Sequence, residues 1–177
     1  HERISTICNQ TYRPYEIIFL DDNSSDNSIE VAKKELSKYD IEYKILTNEK
    51  NAGCFKQWSK GIENSLGDII WIAEADDLCD LEFIESLVNE FEDNEVNLAY
   101  SQSKIIDENS NIIMNNYLEY TNDISSVKWK NNYKAYGQEE IVEALSIKNT
   151  IPNASGVLMR KSVLLDILED LKKYSIC

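Results

Sequence analysis

Two groups of carboxylates stand directly after apolar segments of the chain. They are Asp21 and Asp22 after the first segment, and Glu74, Asp76 and Asp77 after the second. Carboxylates this dense repel one another unless they are solvated, cap a helix or hold a cation. Mg²⁺ and Mn²⁺ prefer oxygen ligands and commonly bind one or two carboxylates together with substrate phosphates. The sequence therefore predicts a divalent cation that carries a diphosphate and stabilises the charge on a departing diphosphate.

The segments around these carboxylates predict the elements that would bring them together. Residues 15–20 and 69–73 are short runs rich in β-branched and aromatic residues, as in buried strands. Apolar residues at helical spacing follow each run, and the unit repeats as strand then helix. This alternation predicts the α/β class, with a Rossmann-like, mostly parallel sheet flanked by helices. Ligands of such sheets bind outside the carboxyl ends of the strands, so both carboxylate groups are expected in one crevice.

The same patterns predict the remaining elements. Further strands are expected at 43–46, 98–106 and 157–159, and helices at 138–147 and after 160. Asn27 and Glu30 have the spacing of a capping box for the first helix. Trp58, Ile62 and Leu66 have the spacing of a core-facing helix, as do Leu81 and its apolar successors. The long Asn- and Tyr-rich stretch 107–137 is typical of a binding loop or lid.

Composition limits the class of protein. A length of 177 residues suits one domain, and a net charge of −14 argues against a nucleic-acid partner. No apolar run reaches the roughly 20 residues of a membrane span, and no signal peptide is visible. The four cysteines form no CxxC pair, so reduced thiols are expected rather than a zinc site. These features predict a protein of the cytoplasm or of the cytoplasmic face of a membrane.

Three quoted segments together resemble the family 2 glycosyltransferases, nucleotide-sugar enzymes with the GT-A fold. They are EIIFLDDNSSDNS at 16–28, NEKNAGCFKQWSKGIENSLGDIIWIAEADD at 48–77 and IPNASGVLMRKSVL at 151–164. The resemblance is strongest over residues 7–91, where the order and spacing of the motifs agree. The third segment is similar to the one that lies under the acceptor side in that family.

The resemblance implies an inverting transfer of a sugar from a nucleotide-diphosphate donor to a hydroxyl group. The acceptor would be a saccharide or a lipid-linked saccharide in surface polysaccharide synthesis, and the cofactor Mn²⁺ or Mg²⁺. Asp21 matches the family residue that hydrogen-bonds the base, and the acidic motif matches the DxD-like metal site. The implied nucleotide-binding residues are Asp21, Asp22, Asn51, Gly53 and Glu74, and the implied metal ligands are Asp76 and Asp77. Which of those two carboxylates touches the metal is left open.

The chain departs from the family in three places. The apolar strand that opens family members is missing, and Trp58 stands where the family often has Arg. No convincing catalytic base is present, because Asp166, Glu169 and Asp170 lie on the solvated face of an amphipathic helix. The interpretation is therefore one partial domain over 1–177, the donor-binding core of a longer enzyme truncated at both ends. Alone, it would be inactive without its base.

Two other functions fit parts of the pattern. A phosphoacceptor receiver domain also places an acidic pair after its first strand to hold Mg²⁺, although a later strand ends here in three acids rather than one. A catalytically silent interaction domain of the same fold is the third interpretation. At the level of single motifs, DDNSSDNS could simply cap the next helix, and EADD could sit at a helix N-terminus.

Overall fold

The computed structural model describes residues 2–174, which form two compact units. The first unit contains the described residues of 2–99 and 157–174, and the second contains 100–156. The strands are β1 (Glu16–Asp21), β2 (Glu42–Thr47), β3 (Ile69–Trp71), β4 (Leu98–Tyr100), β5 (Ile105–Ile106), β6 (Ile112–Met114) and β7 (Val157–Arg160). The α-helices are α1 (Glu2–Cys8), α2 (Ser28–Leu36), α3 (Cys54–Asn64), α4 (Phe83–Val88), α5 (Leu118–Thr121), α6 (Gly137–Glu140), α7 (Lys161–Asp166) and α8 (Leu168–Leu171). Short 3₁₀ or π turns add Asn89–Glu92, Lys128–Lys130, Ile141–Leu145 and Ala154–Gly156.

The strands of the first unit form both parallel and antiparallel pairs. β1 and β2 are parallel, with Glu16 opposite Glu42 and Asp21 opposite Thr47, and α2 makes the crossover between them. β3, β7 and β4 form a second sheet in that order, in which β3 and β7 are antiparallel. The predicted α/β class is confirmed. β7 can be antiparallel to β3 because a long connection that includes residues 100–156 precedes it, whereas a single crossover helix would make the strands parallel.

Helices cover both faces of the β3–β7–β4 sheet. Ile69 and Trp71 pack on one side with α4, whereas Ile70, between them, packs on the other side with α3, α7 and α8. This is the alternation that a strand imposes on successive side chains. The buried residues of the first side are Phe83, Ile84, Phe91 and Leu158, and those of the second are Ile62, Leu164 and Leu168. Each fully buried aliphatic side chain contributes about 1.5–3 kcal/mol.

Several local predictions need correction. Ile62 is core as predicted, but Leu66 lies beyond the end of α3 and is 66% exposed, and Leu81 precedes α4 and is 45% exposed. The capping box does not form, because Asn27 makes no side-chain cap bond. Asp26 Oδ1 instead accepts the Ser28 amide at 2.9 Å.

Three longer predicted elements are interrupted in the structure. The segment 98–106 forms β4 and β5 instead of one strand, and the segment 138–147 divides into α6 and a π turn. The strand expected at 69–73 is only three residues long. Chain-local patterns do not show where a strand stops pairing, because the partner strand is far away in sequence.

The cysteines differ from expectation at one position. Cys8 and Cys79 are free thiols, as predicted, whereas Cys54 is disulfide-bonded, so its predicted reduced state is wrong. Cys177 and the terminal His1 lie outside the described residues. Within 2–174, no helix is both long and apolar enough to cross a membrane.

The second unit is more ordered than the predicted irregular loop. β5 and β6 form an antiparallel pair. A polar network joins its aromatic residues: Trp129 Nε1 donates to the Tyr100 hydroxyl at 3.0 Å, and the Tyr100 and Tyr133 hydroxyls lie 2.5 Å apart. The Tyr133 hydroxyl donates to Glu140 at 3.2 Å, and the same carboxylate pairs with Lys128 at 2.6 Å. The predicted role of this stretch as a binding loop stays a prediction.

Candidate functional site

Asp21 is held at the carboxyl end of β1. It is 4% exposed, and its backbone oxygen accepts the Asn48 amide at 3.0 Å. One carboxylate oxygen, Oδ2, accepts the Ser24 amide at 3.1 Å across a turn in which Asn23 has a φ of 67°. Asn tolerates this left-handed conformation better than most residues. Among the described residues Oδ1 has no hydrogen-bond donor, so Asp21 retains capacity to accept one from a ligand.

Asp22 is engaged by the loop before α3. Its Oδ1 accepts from Asn48 Nδ2 and from the Ala52 amide, each at 2.8 Å, and its Oδ2 accepts from the Gly53 amide at 2.8 Å. Desolvation disfavours the Asp22 charge, but these hydrogen bonds and the Lys60 ammonium outweigh it and lower the pKa of Asp22. The geometry therefore favours a structural role for this carboxylate. Its predicted contact with nucleotide stays a prediction.

Gly53 gives the loop its shape. Its φ is 87°, and a Cβ at this position would meet nothing within 4 Å. Glycine is thus required by the left-handed backbone and not by lack of space. Asn51 is exposed and lies next to the Asp22 backbone oxygen, with a distance of 3.5 Å from Asn51 Nδ2. The Asn-x-Gly motif is thus a loop whose Ala52 and Gly53 amides donate hydrogen bonds to the Asp22 carboxylate.

The second carboxylate group follows β3 in a turn. Glu74 Oε1 accepts from Trp58 Nε1 at 2.9 Å, and the Trp58 ring packs edge-on against Phe55 with centroids 5.1 Å apart. Asp76 is exposed and Asp77 is half-buried. Trp58 was expected to be core, but it is half-buried and ties α3 to Glu74.

Both carboxylate groups contact α3 or the loop before it. Asp22 binds the residues that begin the helix, and Glu74 binds Trp58, five residues after Gly53. At 1.5 Å per residue this separation is about 7.5 Å along the helix axis. The predicted shared crevice at the carboxyl ends of β1 and β3 stays a prediction.

The carboxylates after β3 are the side chains that could hold a divalent cation. Within 2–174, no three His, Cys, Asp or Glu side chains are close enough to form a metal-binding group. Asp76 and Asp77 alone still supply the one or two carboxylates that Mg²⁺ takes when a diphosphate provides other oxygens. The chemistry of these residues therefore fits a cation that arrives with its ligand, and the metal site stays a prediction.

The comparisons with known proteins decide the family. The model of glycosyl transferase family 2 matches residues 1–168. The chain belongs to this family. It is 32% identical over 164 residues to an uncharacterised glycosyltransferase of Haemophilus influenzae, covering 92% of this chain and 47% of that protein. It is 26% identical to glycosyltransferase GlyG of Streptococcus pneumoniae, covering 88% of this chain and 45% of that protein.

A solved structure is similar to the chain as well. The crystal structure of S. aureus TarS matches with a TM-score of 0.61 at 15% identity, over 93% of this chain and 26% of that one. The likeness establishes the GT-A fold. The chain spans about half the length of the Haemophilus influenzae and Streptococcus pneumoniae relatives. The matched region covers 47% of the first protein and 45% of the second.

Sequence reasoning missed Gln10, which binds the segment after the second carboxylate group. Gln10 is 3% exposed, and its Nε2 donates to the Asp80 carbonyl at 2.8 Å and contacts Cys79 Sγ at 3.4 Å. Its Oε1 accepts the Ile84 amide at 2.9 Å. Gln10 therefore ties the end of α1 to the segment that follows the second carboxylate group. The motif NQTY at residues 9–12 was the available signal, but its partners lie about 70 residues away.

The candidate bases of the C-terminal helices remain unassigned. Asp166, Glu169 and Asp170 are all exposed, as predicted for a solvated face. Glu169 and Asp170 pair with Lys172 at 2.9 Å and Lys173 at 2.6 Å. A surface depression of about 630 Å³ lies elsewhere, between α2 and β2. No predicted site residue lines it, so it adds nothing to the site.

Proposed function

We propose that this chain is the donor-binding domain of an inverting glycosyltransferase. The enzyme would move a sugar from a nucleotide diphosphate to a hydroxyl of a saccharide or lipid-linked acceptor, in surface polysaccharide synthesis at the cytoplasmic side of a membrane. The observation that supports the proposal is that Asp22 binds the loop before α3 and Glu74 binds Trp58 within α3, in a family 2 chain. A relative in Escherichia coli, 30% identical over 107 residues, is named UDP-Glc:alpha-D-GlcNAc-diphosphoundecaprenol beta-1,3-glucosyltransferase WfgD, which supports this donor and acceptor class.

Each residue at the site has a separate role in the proposal. Asp21 accepts a hydrogen bond from the base through its Oδ1, while Asp22 fixes the loop containing Asn51 and Gly53 against the nucleotide. Glu74, oriented by Trp58, lies toward the ribose. Asp76 and Asp77 hold Mn²⁺ or Mg²⁺. When bound, the cation supplies Lewis acidity that stabilises the negative charge of the leaving diphosphate.

On the acceptor side, the reaction needs a general base. Inversion requires an in-line attack in which a carboxylate removes the proton of the acceptor hydroxyl. Asp166, Glu169 and Asp170 are exposed, and we assign this role to none of them. The contribution of the described residues is to bind and orient the donor.

Calorimetry with UDP and TDP, with and without Mn²⁺, tests the proposal. We expect binding that depends on Mn²⁺, and Asp76→Asn or Asp77→Asn should each weaken it by about tenfold with little change in melting temperature. The exposed carboxylate variant Asp166→Asn is the matched control and should bind as the wild type does. No heat with any nucleotide would contradict the proposal and leave an interaction domain.

A further inference from the structure

The guanidinium group of Arg3 is buried on the last residue of β3, three residues before Glu74. Arg3 is 7% exposed, and its Cζ lies 5.0 Å from the centroid of the Trp71 ring, the last residue of β3. Nε, Nη1 and Nη2 are all buried and have no hydrogen-bond partner with regular geometry in the described chain. A buried charge without hydrogen bonds is costly, so this side chain requires an explanation.

The position of Arg3 is fixed by the fold. α1 is anchored at its far end by Gln10, which bonds Asp80 and the Ile84 amide, and by the Thr11 amide, which donates to the Leu81 carbonyl at 2.9 Å. These bonds hold α1 against the segment that follows the turn 74–77. This docking places Arg3 next to β3, where its guanidinium lies on the Trp71 ring.

Cys79 and two carboxylates of the turn act on this cation. Burial lowers the pKa of Arg3, whereas Cys79, partly through a side-chain hydrogen bond, and the charges of Asp77 and Glu74 act in the opposite direction. Two of the three are members of the second carboxylate group. Since Arg stays protonated in proteins, the turn contains a permanent internal positive charge.

We propose that Arg3 is a positioning residue that sets the balance of cation and anion binding at the carboxylates of the turn 74–77. Acting through Glu74 and Asp77, its fixed charge opposes the binding of a free cation and favours the approach of a diphosphate. This inference rests on the proposed nucleotide-diphosphate site. It explains how the acidic turn of a chain with a net charge of −14 can receive an anionic donor.

Removing the charge should change the two affinities in opposite directions. In Arg3→Met, the affinity for a free cation should rise about tenfold, because one fixed positive charge near the site no longer repels it. The affinity for UDP measured in chelator should fall by about the same factor. Arg3→Lys should keep both affinities near those of the wild type. An effect of misfolding alone would weaken both.

The experiment measures cation and nucleotide binding separately. Tb³⁺ is titrated into the nucleotide-free chain and detected by luminescence sensitised through Trp58, which bonds Glu74. UDP is titrated by calorimetry, first in chelator and then with Mn²⁺. Lys38→Met is the matched control, because Lys38 follows α2 at the end of the fold opposite to the carboxyl ends of β1 and β2 and pairs with Glu35 at 2.6 Å.

Each outcome has a defined meaning. Tighter Tb³⁺ binding and weaker UDP binding in Arg3→Met, with both affinities unchanged in Lys38→Met, support the inference. Tb³⁺ affinity that is unchanged, lower or undetectable in every variant overturns it, and so does UDP affinity in chelator that is unchanged or higher in Arg3→Met. UDP that fails to bind the wild type with Mn²⁺ contradicts the proposed function independently, because the Tb³⁺ titration contains no nucleotide.

Discussion

The substitution Asp22→Asn separates a structural carboxylate from a ligand-binding one. Asp22 accepts bonds from Asn48 Nδ2 and the Ala52 and Gly53 amides at 2.8 Å each. An Asn side chain keeps the shape but turns one acceptor into an NH₂ group that faces backbone N–H donors. Hydrogen bonds to a charged group contribute about 1.5–3 kcal/mol each, and one or two are lost. We therefore expect the free energy of unfolding to fall by about 2–4 kcal/mol at pH 7.

The pH dependence gives a second measurement. The pKa of Asp22 is lowered in the folded state, so its contribution is present above the unfolded value, near 3.9, and is lost as the pH falls through the folded value. The deficit of Asp22→Asn relative to the wild type should thus begin to shrink below about pH 4, where the unfolded Asp22 takes up a proton, and should be lost once the pH has fallen below the lowered folded value. Urea unfolding at several pH values between 3 and 7 measures it. Asp26→Asn, on an exposed carboxylate with one bond to the Ser28 amide, is the control and should change stability much less.

Two results would refute this account of Asp22. If Asp22→Asn has wild-type stability but loses UDP binding, the carboxylate is a ligand contact and its bonds to the loop are incidental. If the variant is destabilised equally at pH 3 and pH 7, the charge of Asp22 does not contribute to the clamp. Thermal unfolding provides a check, since a loss of 2–4 kcal/mol corresponds to a decrease in melting temperature of roughly 4–16 °C in a chain of this size.

Three further substitutions test the surroundings of the site. Gln10→Ala should lower the free energy of unfolding by about 2–3 kcal/mol in urea, because a buried backbone amide loses its acceptor; a change below about 0.5 kcal/mol would contradict its anchoring role. Trp58→Phe keeps the ring packing but removes the bond to Glu74, so calorimetry should show weaker UDP binding with about 1 kcal/mol or less of lost stability. Gly53→Ala should lower the free energy of unfolding by about 1–2 kcal/mol, because residue 53 has a positive φ. Gly137→Ala, at a helical position with free space, should leave the free energy of unfolding unchanged or raise it slightly. Equal effects in urea unfolding would show that the Gly53 backbone is not strained.

The sequence predicted what depends on short-range pattern. The ends of β1 and β2 fall within two residues of the predicted ones, because an apolar run bounded by Pro14 and an acidic turn has few alternatives. This accuracy placed Asp21 at a strand end. The helix after the Asn-x-Gly motif was also predicted, since its apolar positions recur at helical spacing.

Contacts between distant segments could not be predicted in this way. The partners of Asp22 lie 26–31 residues further along the chain, and Trp58 meets Glu74 across 16 residues. Apolar spacing favoured a core role for Trp58, because periodicity does not show where an indole N–H points. The same limit concealed Arg3, whose burial against Trp71 depends on how α1 docks.

The division of roles between Asp21 and Asp22 explains why two adjacent carboxylates are tolerated after one strand. Asp21 ends β1 and Asp22 lies beyond it, and the two carboxylates bind different donors: the Ser24 amide for Asp21 and the loop 48–53 for Asp22. Asp22 is satisfied by the loop before α3, and Glu74 receives the Trp58 indole, with Arg3 nearby as a fixed cation. The repulsion implied by the acidic sequence is therefore largely compensated within the fold. Asp76 and Asp77 stay the proposed ligands of a cation, and two carboxylates are the number that a diphosphate-bound Mg²⁺ or Mn²⁺ commonly takes.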